Sequence, residues 1–591
     1  MVFEKIANVC LGRVLPLLAL LSLGACAHSD PRRFGLRAPV TRDQDLDLVT
    51  LSCKGKDAKK APCAEPYESS FAWDAADNSL FRPVSEALRV KLHGESLNVN
   101  AFDEVPDSSW FVNRIGVKPP TPQEVQEGYC KMGKTLNPNA KDGDWLIDHG
   151  KDNGANPGFR VKSEGVKYMF KLDSTEDGQG ERPTAATVIA SRLYYAAGWW
   201  APCDAIVYFR KSLLKLKDGL VIKANVGPPK KFDQKLLDEM LSHTSKRGDT
   251  FRVAASRWLP GVPLGPFTYN GVYPDDPSDV IPHEHRRDLR GAMLMAAWLN
   301  HFDAREQNSM ATWMPDNLNE IADGHKDPEP TNHGYVRHWY IDLGDCFGSE
   351  WAADRISQRL GHAWLLDFPY LAEDFFLLGI PERPWDHNHR NPEAPIFGFF
   401  NEEDFDPELW RNEYPNPAFN NMTEHDGAWA ARIISRFTPE MIQAAVRAGD
   451  LTEPAHSAFL VRVMLARQKT IEQRYFSKLS PITDFTIENG KLCGVDLARK
   501  TETWHPSSFH YRASLARGGE DKPQPASIEV GEEGRVCVPL ASTQPDGGKP
   551  DDAAERYVVV RIANGVAKAP IELHLYDRGP TKGHQLVGIE R

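Results

Sequence analysis

The stretch AWLNHFDAREQNSM (Ala297–Met310) decides how this chain is read. It closes the run RRDLRGAMLMAAWLNHF, in which Leu289, Ala292, Met293, Ala296 and Ala297 recur at helical spacing. Where the apolar run stops, His301, Asp303, Arg305 and Asn308 follow in one short loop. Imidazole, carboxylate, guanidinium and carboxamide gathered there suit charge handling as well as chain reversal. Other polar residues stand out elsewhere. Lys171 ends the apolar strand YMFKLD, Glu181 lies at the start of the next predicted helix, and Asp342 follows Trp339-Tyr340-Ile341 to open Asp-Leu-Gly.

Outward from the loop, the chain changes character twice. Residues 105–270 read as strand-rich. GFRVKSEGVKYMFKLD is a predicted hairpin about Glu164-Gly165, and AIVYF, GLVIKAN and TFRVAASRWL are predicted strands. Between them PTAATVIASRLYYAAGW reads as a helix, with Pro183 in its first turn and Gly198 at its end. Residues 271–482 carry mainly helical signals and long aromatic-rich loops. From 483 to 591 the period returns to two: FTIENGKLCGV is a hairpin about Asn489-Gly490, and two later runs alternate in the same way. The expected class is α+β, a strand-rich N-lobe and helical C-lobe followed by a small all-β, sandwich-like domain.

The order Lys171, Glu181, Asp303, Asn308, Asp342 resembles the protein-kinase-like superfamily. HFDAREQN is similar to the catalytic loop His-x-Asp-x4-Asn, and Asp342-Leu343-Gly344 to Asp-Phe-Gly; the atypical HipA-type and spore-coat kinases are closer still. RWLPGVPLGPF stands where the hinge between lobes belongs, and the resemblance covers residues 105–480. It implies a two-lobed kinase-like core with ATP and Mg2+ as cofactors. Lys171 would hold nucleotide phosphates and Glu181 would hold the lysine. Asn308 and Asp342 would ligate magnesium, a hard ion that prefers oxygen donors. Asp303 would orient the acceptor hydroxyl and take its proton, with Arg305 neutralising phosphate or Asp303 and His301 bracing the loop. Such transfer depends on positioning and charge neutralisation. On this reading phosphate, or the nucleotide's AMP, passes to a protein or glycan hydroxyl. The alternative is a catalytically silent, pseudokinase-like binder or scaffold. The sequence departs from the pattern in Leu343, in a long insert between Asn308 and Asp342, and in having only GKDNGANPGF as a glycine-rich stretch before Lys171.

The N-terminus carries a different signal. Lys5 and Arg13 precede the apolar run VLPLLALLSL, too short to span a bilayer, and then Leu23-Gly24-Ala25-Cys26. This resembles a bacterial lipobox. It implies that residues 1–25 are a signal peptide, that Cys26 is acylated, and that residues 26–104 lead from the anchor. Ala27 after the cysteine favours the outer membrane. Of nine cysteines, Cys53 with Cys63 and Cys493 with Cys537 are candidates to pair, whereas Cys130, Cys203 and Cys346 show no obvious partner. A net charge of −12 over 591 residues, with no basic stripe, excludes nucleic acid as the expected partner. GYCKMGKT matches a phosphate-loop pattern letter for letter, but PPTPQEVQE before it is no strand and LNPNAKDGD after it no helix. HEHRR lacks the second histidine of a zinc motif, and DHNHR reads as a solvated loop.

Overall fold

The structure, a computed structural model, describes residues 33–37, 43–51, 62, 71–89, 94–131, 136–151, 157–173, 180–222, 229–273, 275–318, 331–348, 354–518, 522–547 and 549–591. Cys26, Cys53 and Cys63 lie outside these residues, as do 152–156 within GKDNGANPGF. The fold is α+β, with several sheets and separate apolar cores.

The first large sheet contains β1 (Trp145–Gly150), β2 (Gly158–Ser163), β3 (Val166–Lys171), β4 (Asp204–Phe209) and β5 (Thr250–Arg257). Its order is β4-β5-β3-β2-β1, with the short strand Leu214–Leu216 parallel to β1 at the edge. Glu164 and Gly165 both take positive φ, 49° and 84°, and close the tight β2–β3 turn that the sequence predicts. In β3 Val166, Tyr168 and Phe170 alternate inward, which leaves Lys171 at the strand end. Helix α1 (Arg182–Ala197) connects β3 to β4 and is almost wholly buried. It stops at Gly198, where φ is 139° and a Cβ would meet the Phe111 ring at 2.2 Å. Only glycine fits there.

Helix α2 (Arg287–Leu299) runs through the centre of the largest core, and every one of its residues is buried. Its first turn lacks a cap from its own N-cap residue. The incoming leader supplies one, because the Asn98 side chain accepts from the Arg287 amide at 2.8 Å and donates to Asp288 at 2.6 Å. At the other end Asn300 turns left-handed (φ 49°) and accepts from Trp410 Nε1 at 2.8 Å, so the helix stops where the sequence places the stop. Next come the loop His301–Asn308 and the hairpin β6 (Ser309–Pro315) and β7 (His333–Tyr340). Ser309 pairs with Tyr340 at its open end. The insert between Asn308 and Asp342 therefore leaves from the far end of a hairpin whose near end holds the two residues together. The proposed hinge stretch supplies the strand Val262–Gly265, which pairs with β6.

Further helices include α3 (Phe368–Leu377), α4 (Glu424–Ile434), α5 (Pro439–Ala448) and the long α6 (Pro454–Phe476). Among the described residues no helix is long and apolar enough to cross a membrane. Beyond them two antiparallel sheets enclose a core of Val538, Val560, Ile562, Leu573 and their neighbours. One sheet is built on β8 (Ile482–Glu488), β9 (Lys491–Asp496) and β11 (Arg535–Pro539), the other on β10 (Arg512–Arg517), β12 (Tyr557–Ala563), β13 (Ile571–Asp577) and β14 (His584–Glu590). Asn489 and Gly490 both take positive φ at the predicted hairpin.

The described part of the leader is more than a spacer. Val49–Thr50 pairs with β7, residues 71–88 are helical, and Phe34 packs on Tyr557, Tyr576 and Val587 of the β domain. Among the described residues two disulfides are present, Cys130–Cys203 and Cys493–Cys537, while Cys346 is free and buried. Cys130 and Cys203, which have no obvious partner in the sequence, are thus joined across 73 positions because the fold brings them together. Cys493 and Cys537 face each other across β9 and β11. Replacing both by Ala is expected to lower stability by about 2–4 kcal/mol, since the bond closes a long loop in the unfolded chain. Guanidinium denaturation followed in the β-rich tail checks this. An unchanged midpoint would count against the bond.

Candidate functional site

Lys171, Asp303, Asn308 and Asp342 come together from three separate parts of the chain. Lys171 extends from the end of β3, and its Nζ lies 2.8 Å from Asp342 Oδ1. Burial alone would lower the lysine pKa. Asp342 and then Asp204 more than offset this, so the net shift is upward and the ammonium is retained. Asp204, the first residue of β4, is buried and accepts a hydrogen bond from Ser256.

Asp342 stands just past β7 with φ 56° and ψ 47°. The left-handed conformation costs a non-glycine residue about 1 kcal/mol or more, and such strain is retained where a side chain must point one way. The carboxylate is nearly a third exposed (31%), so it is open to a ligand. Lys151 and then Lys171 hold its pKa far below the usual range, against the effect of burial. It is charged at any physiological pH.

Asp303 is the opposite kind of carboxylate. Burial pushes its pKa well upward, and Glu413 and Asp345 add to the push while Arg305 opposes it. Asn308 Nδ2 donates to its Oδ2 at 2.5 Å and to its backbone carbonyl at 2.7 Å. Arg305 Nε stands 2.9 Å from Oδ1, yet the approach is not a hydrogen bond and that buried oxygen is left without a donor. Arg305 also reaches Glu413 at 3.6 Å. The Ile341 amide donates to the Asn308 carbonyl at 3.0 Å, which ties this loop to the Asp342 turn.

His301 is buried, with Nδ1 3.0 Å from the Tyr194 hydroxyl of α1. Burial lowers its pKa to about 4, so the ring is neutral and acts as a brace between the loop and α1. Arg182, at the start of α1 and fully buried, donates to the carbonyls of Gly344 at 2.8 Å and Cys346 at 3.3 Å. It fixes the chain that carries Asp342. Glu181 lies elsewhere. Its carboxylate accepts from the Thr452 amide at 2.7 Å and hydroxyl at 2.6 Å, and faces Arg252 at 3.9 Å. The expectation that Glu181 holds Lys171 is corrected: the carboxylates that act on Lys171 are Asp342, then Asp204 and Asp345. Arg252 and the α5–α6 loop draw Glu181 away.

Asp204, Glu413 and Arg182 are the site residues that sequence reasoning missed. Arg182 left a trace, since a guanidinium at a helix N-terminus works against the helix dipole unless something else holds it. The other two carry no local signal. Beside the Asp303 loop opens a cavity of about 550 Å³, lined by Phe302, Arg359, Trp364, Trp385, Asp386 and Glu413 among others. Two other polar stretches singled out in the sequence hold ordinary pairs. His283 is buried against Asp279 at 2.7 Å, and His387 is exposed beside Glu382. Compared with protein-family models, curated proteins and solved structures, the chain matches none.

Proposed function

We propose that this chain is an envelope lipoprotein with a kinase-like core, which binds ATP and magnesium and transfers phosphate to a hydroxyl of a protein or glycan. Acylated Cys26 anchors it to the membrane, with the outer membrane as its address. The N-lobe is residues 105–270, the C-lobe 271–482, and the tail from 483 a separate β module. The observation that carries the reading is the convergence of Lys171, Asp303, Asn308 and Asp342, with Lys171 Nζ 2.8 Å from Asp342. Topology supports it. The lysine strand β3 leads into α1 and then to β4 and β5, with β5 between β3 and β4. Helix α2, the Asp303 loop, the β6–β7 hairpin and Asp342 follow in that order.

The donors fit a hard cation. Asp342 and Asn308 offer oxygen ligands, and the Asp342 carboxylate is open to a ligand. Bound magnesium would offset phosphate charge. Lys171 supplies a retained positive charge for the phosphates, and release from Asp342 frees it to do so. Asp303, which burial holds above the usual carboxylate range, is the group that would take a proton from an acceptor hydroxyl. The cavity lined by Phe302 and Glu413, which neighbour Asp303, is the space an acceptor would occupy. A second reading, the silent binder, is favoured by one observation: Glu181 is committed to Thr452 and does not brace Lys171. Calorimetry of the folded chain with ATP and magnesium tests both. The expected result is binding that needs the metal, and no metal-dependent binding at all would sink both readings.

A further inference from the structure

Helix α3 has no buried residue. Asp367 caps its start, accepting from the Tyr370 amide at 3.3 Å. Arg383, in the loop that follows, ion-pairs with Glu373 and Asp374 and lies 4.5 Å over the Tyr370 ring. The polar side is thereby tied down and the other side faces outward. Leu371 is 49% exposed, Phe375 76%, Phe376 77%, Leu378 85% and Ile380 79%. The segment Arg82–Leu88 lies beside α3 and adds Leu88, 79% exposed. A helix of this length is marginal in water on propensity alone. A contiguous apolar surface of this kind marks something that binds.

The N-terminus identifies the occupant. Cys26 stands shortly before Arg33, and Phe34 is fixed to the β domain through Tyr557 and Tyr576. Seven residues reach at most about 25 Å when fully extended. Acyl chains on Cys26 would therefore keep Phe34 within about 25 Å of the bilayer, close enough for a face of the body to meet lipid. We propose that α3 is an interfacial docking helix, which lays Leu371, Phe375, Phe376, Leu378 and Ile380 into the boundary between headgroups and acyl chains of the membrane that holds Cys26. Such helices lie in the interface plane with the apolar face buried roughly 5–10 Å. Arg383 offsets part of the charge of Glu373 and Asp374, which limits repulsion from anionic headgroups. The proposal rests on the lipoprotein reading of Cys26.

The test uses the acylated full chain in vesicles of phosphatidylethanolamine and phosphatidylglycerol, with a nitroxide side chain replacing Phe376. A second label at exposed Lys500 is the reference. The label at position 376 should be more accessible to molecular oxygen than to a water-soluble nickel chelate, and the reference should show the reverse. A label at 376 as open to nickel as the reference overturns the proposal. A label shielded from both reagents also overturns it, and assigns the face to a protein partner. The unacylated Cys26→Ala chain separates docking from anchoring. It should still float with the vesicles, and adding Phe375→Asp and Phe376→Asp should lower its partition by about tenfold or more, with circular dichroism unchanged. Failure of the Cys26→Ala chain to float overturns the docking surface. A free N-terminus in mass spectrometry of the wild type removes the anchor and leaves the flotation result to stand by itself.

Discussion

Asp342→Ala is expected to abolish the rise in unfolding temperature produced by ATP with magnesium, whereas Asp303→Asn keeps that rise and loses transfer. The two carboxylates differ physically, and so should their variants. Asp342 is accessible and firmly ionised, with Lys151 and Lys171 holding its pKa down. It is the group a cation can use. Its loss removes a ligand and also takes from Lys171 the carboxylate that does most to hold its charge, leaving the weaker influence of Asp204 and Asp345. A ligand present at about 100 times its Kd stabilises the folded state by roughly 2.7 kcal/mol, and all of that is at stake. Asp303 is buried and its pKa is raised. An asparagine there keeps an oxygen for Asn308 but cannot take a proton. Loss of a positioned general base costs about 10²–10⁴-fold in rate. A full thermal shift in Asp342→Ala would end its role as a metal ligand. Transfer at the wild-type rate in Asp303→Asn would end the base assignment.

How much of this was legible in the sequence depended on whether the signal was local. The end of α2 was legible because apolar residues at helical spacing give way to the polar loop that follows. Both predicted tight turns were legible because Glu164-Gly165 and Asn489-Gly490 carry their own backbone preference. The hairpin that joins Asn308 to Asp342 was not, because its two strands are separated by the insert and strand pairing across a long loop leaves no periodic mark. Nor were Asp204 and Glu413 legible as site residues. Each matters through what lies opposite it, Lys171 in one case and Asp303 with Arg305 in the other. Glu181 shows the converse error. A carboxylate at a helix start is common, and the kinase-like resemblance alone assigned it to Lys171, a pair that Thr452 and Arg252 pre-empt.

The leader, 26–104, reads in the sequence as a polar segment leading from the anchor, and several of its polar residues are buried partners. Asn98 caps α2, and Asp43 and Asp45 approach the fully buried Arg286 at 2.8 and 3.2 Å. Buried guanidinium groups recur through this molecule, Arg182, Arg252, Arg286, Arg290 and Arg556 among them. Each needs carboxylates or carbonyls delivered from distant segments, because a buried charge without partners is strongly unfavourable. Polar stretches that look like linkers are therefore held in place by what they neutralise.

Asp103→Ala should be the most damaging single change in the scaffold, costing about 3–5 kcal/mol. Its carboxylate lies 2.5 Å from Arg287 Nη1 at the start of α2, 3.5 Å from Arg432 Nη2 in α4 and 2.9 Å from Arg591 Nε. Arg591 in turn donates to the carbonyls of Ser480 and Ile482 at 2.8 and 2.7 Å. One carboxylate from the leader thus joins two core helices to the β domain. Burial would raise its pKa, but Arg287, then Arg432 and Arg591, outweigh burial and hold it far below the usual range. The sign for stability follows. A depressed carboxylate contributes fully above its unfolded pKa of about 3.9, and the contribution fades as pH falls below that toward the folded value. The deficit of the variant should be complete at pH 7 and shrink below about pH 4. Arg432 keeps Glu104 at 2.9 Å and Arg287 keeps Asp426 at 3.1 Å, so the loss falls most heavily on Arg591 and the seam with the β domain. Urea denaturation at pH 7 and at acid pH measures both the size and the trend. A midpoint at pH 7 equal to that of the wild type would show that the three guanidinium groups find other partners.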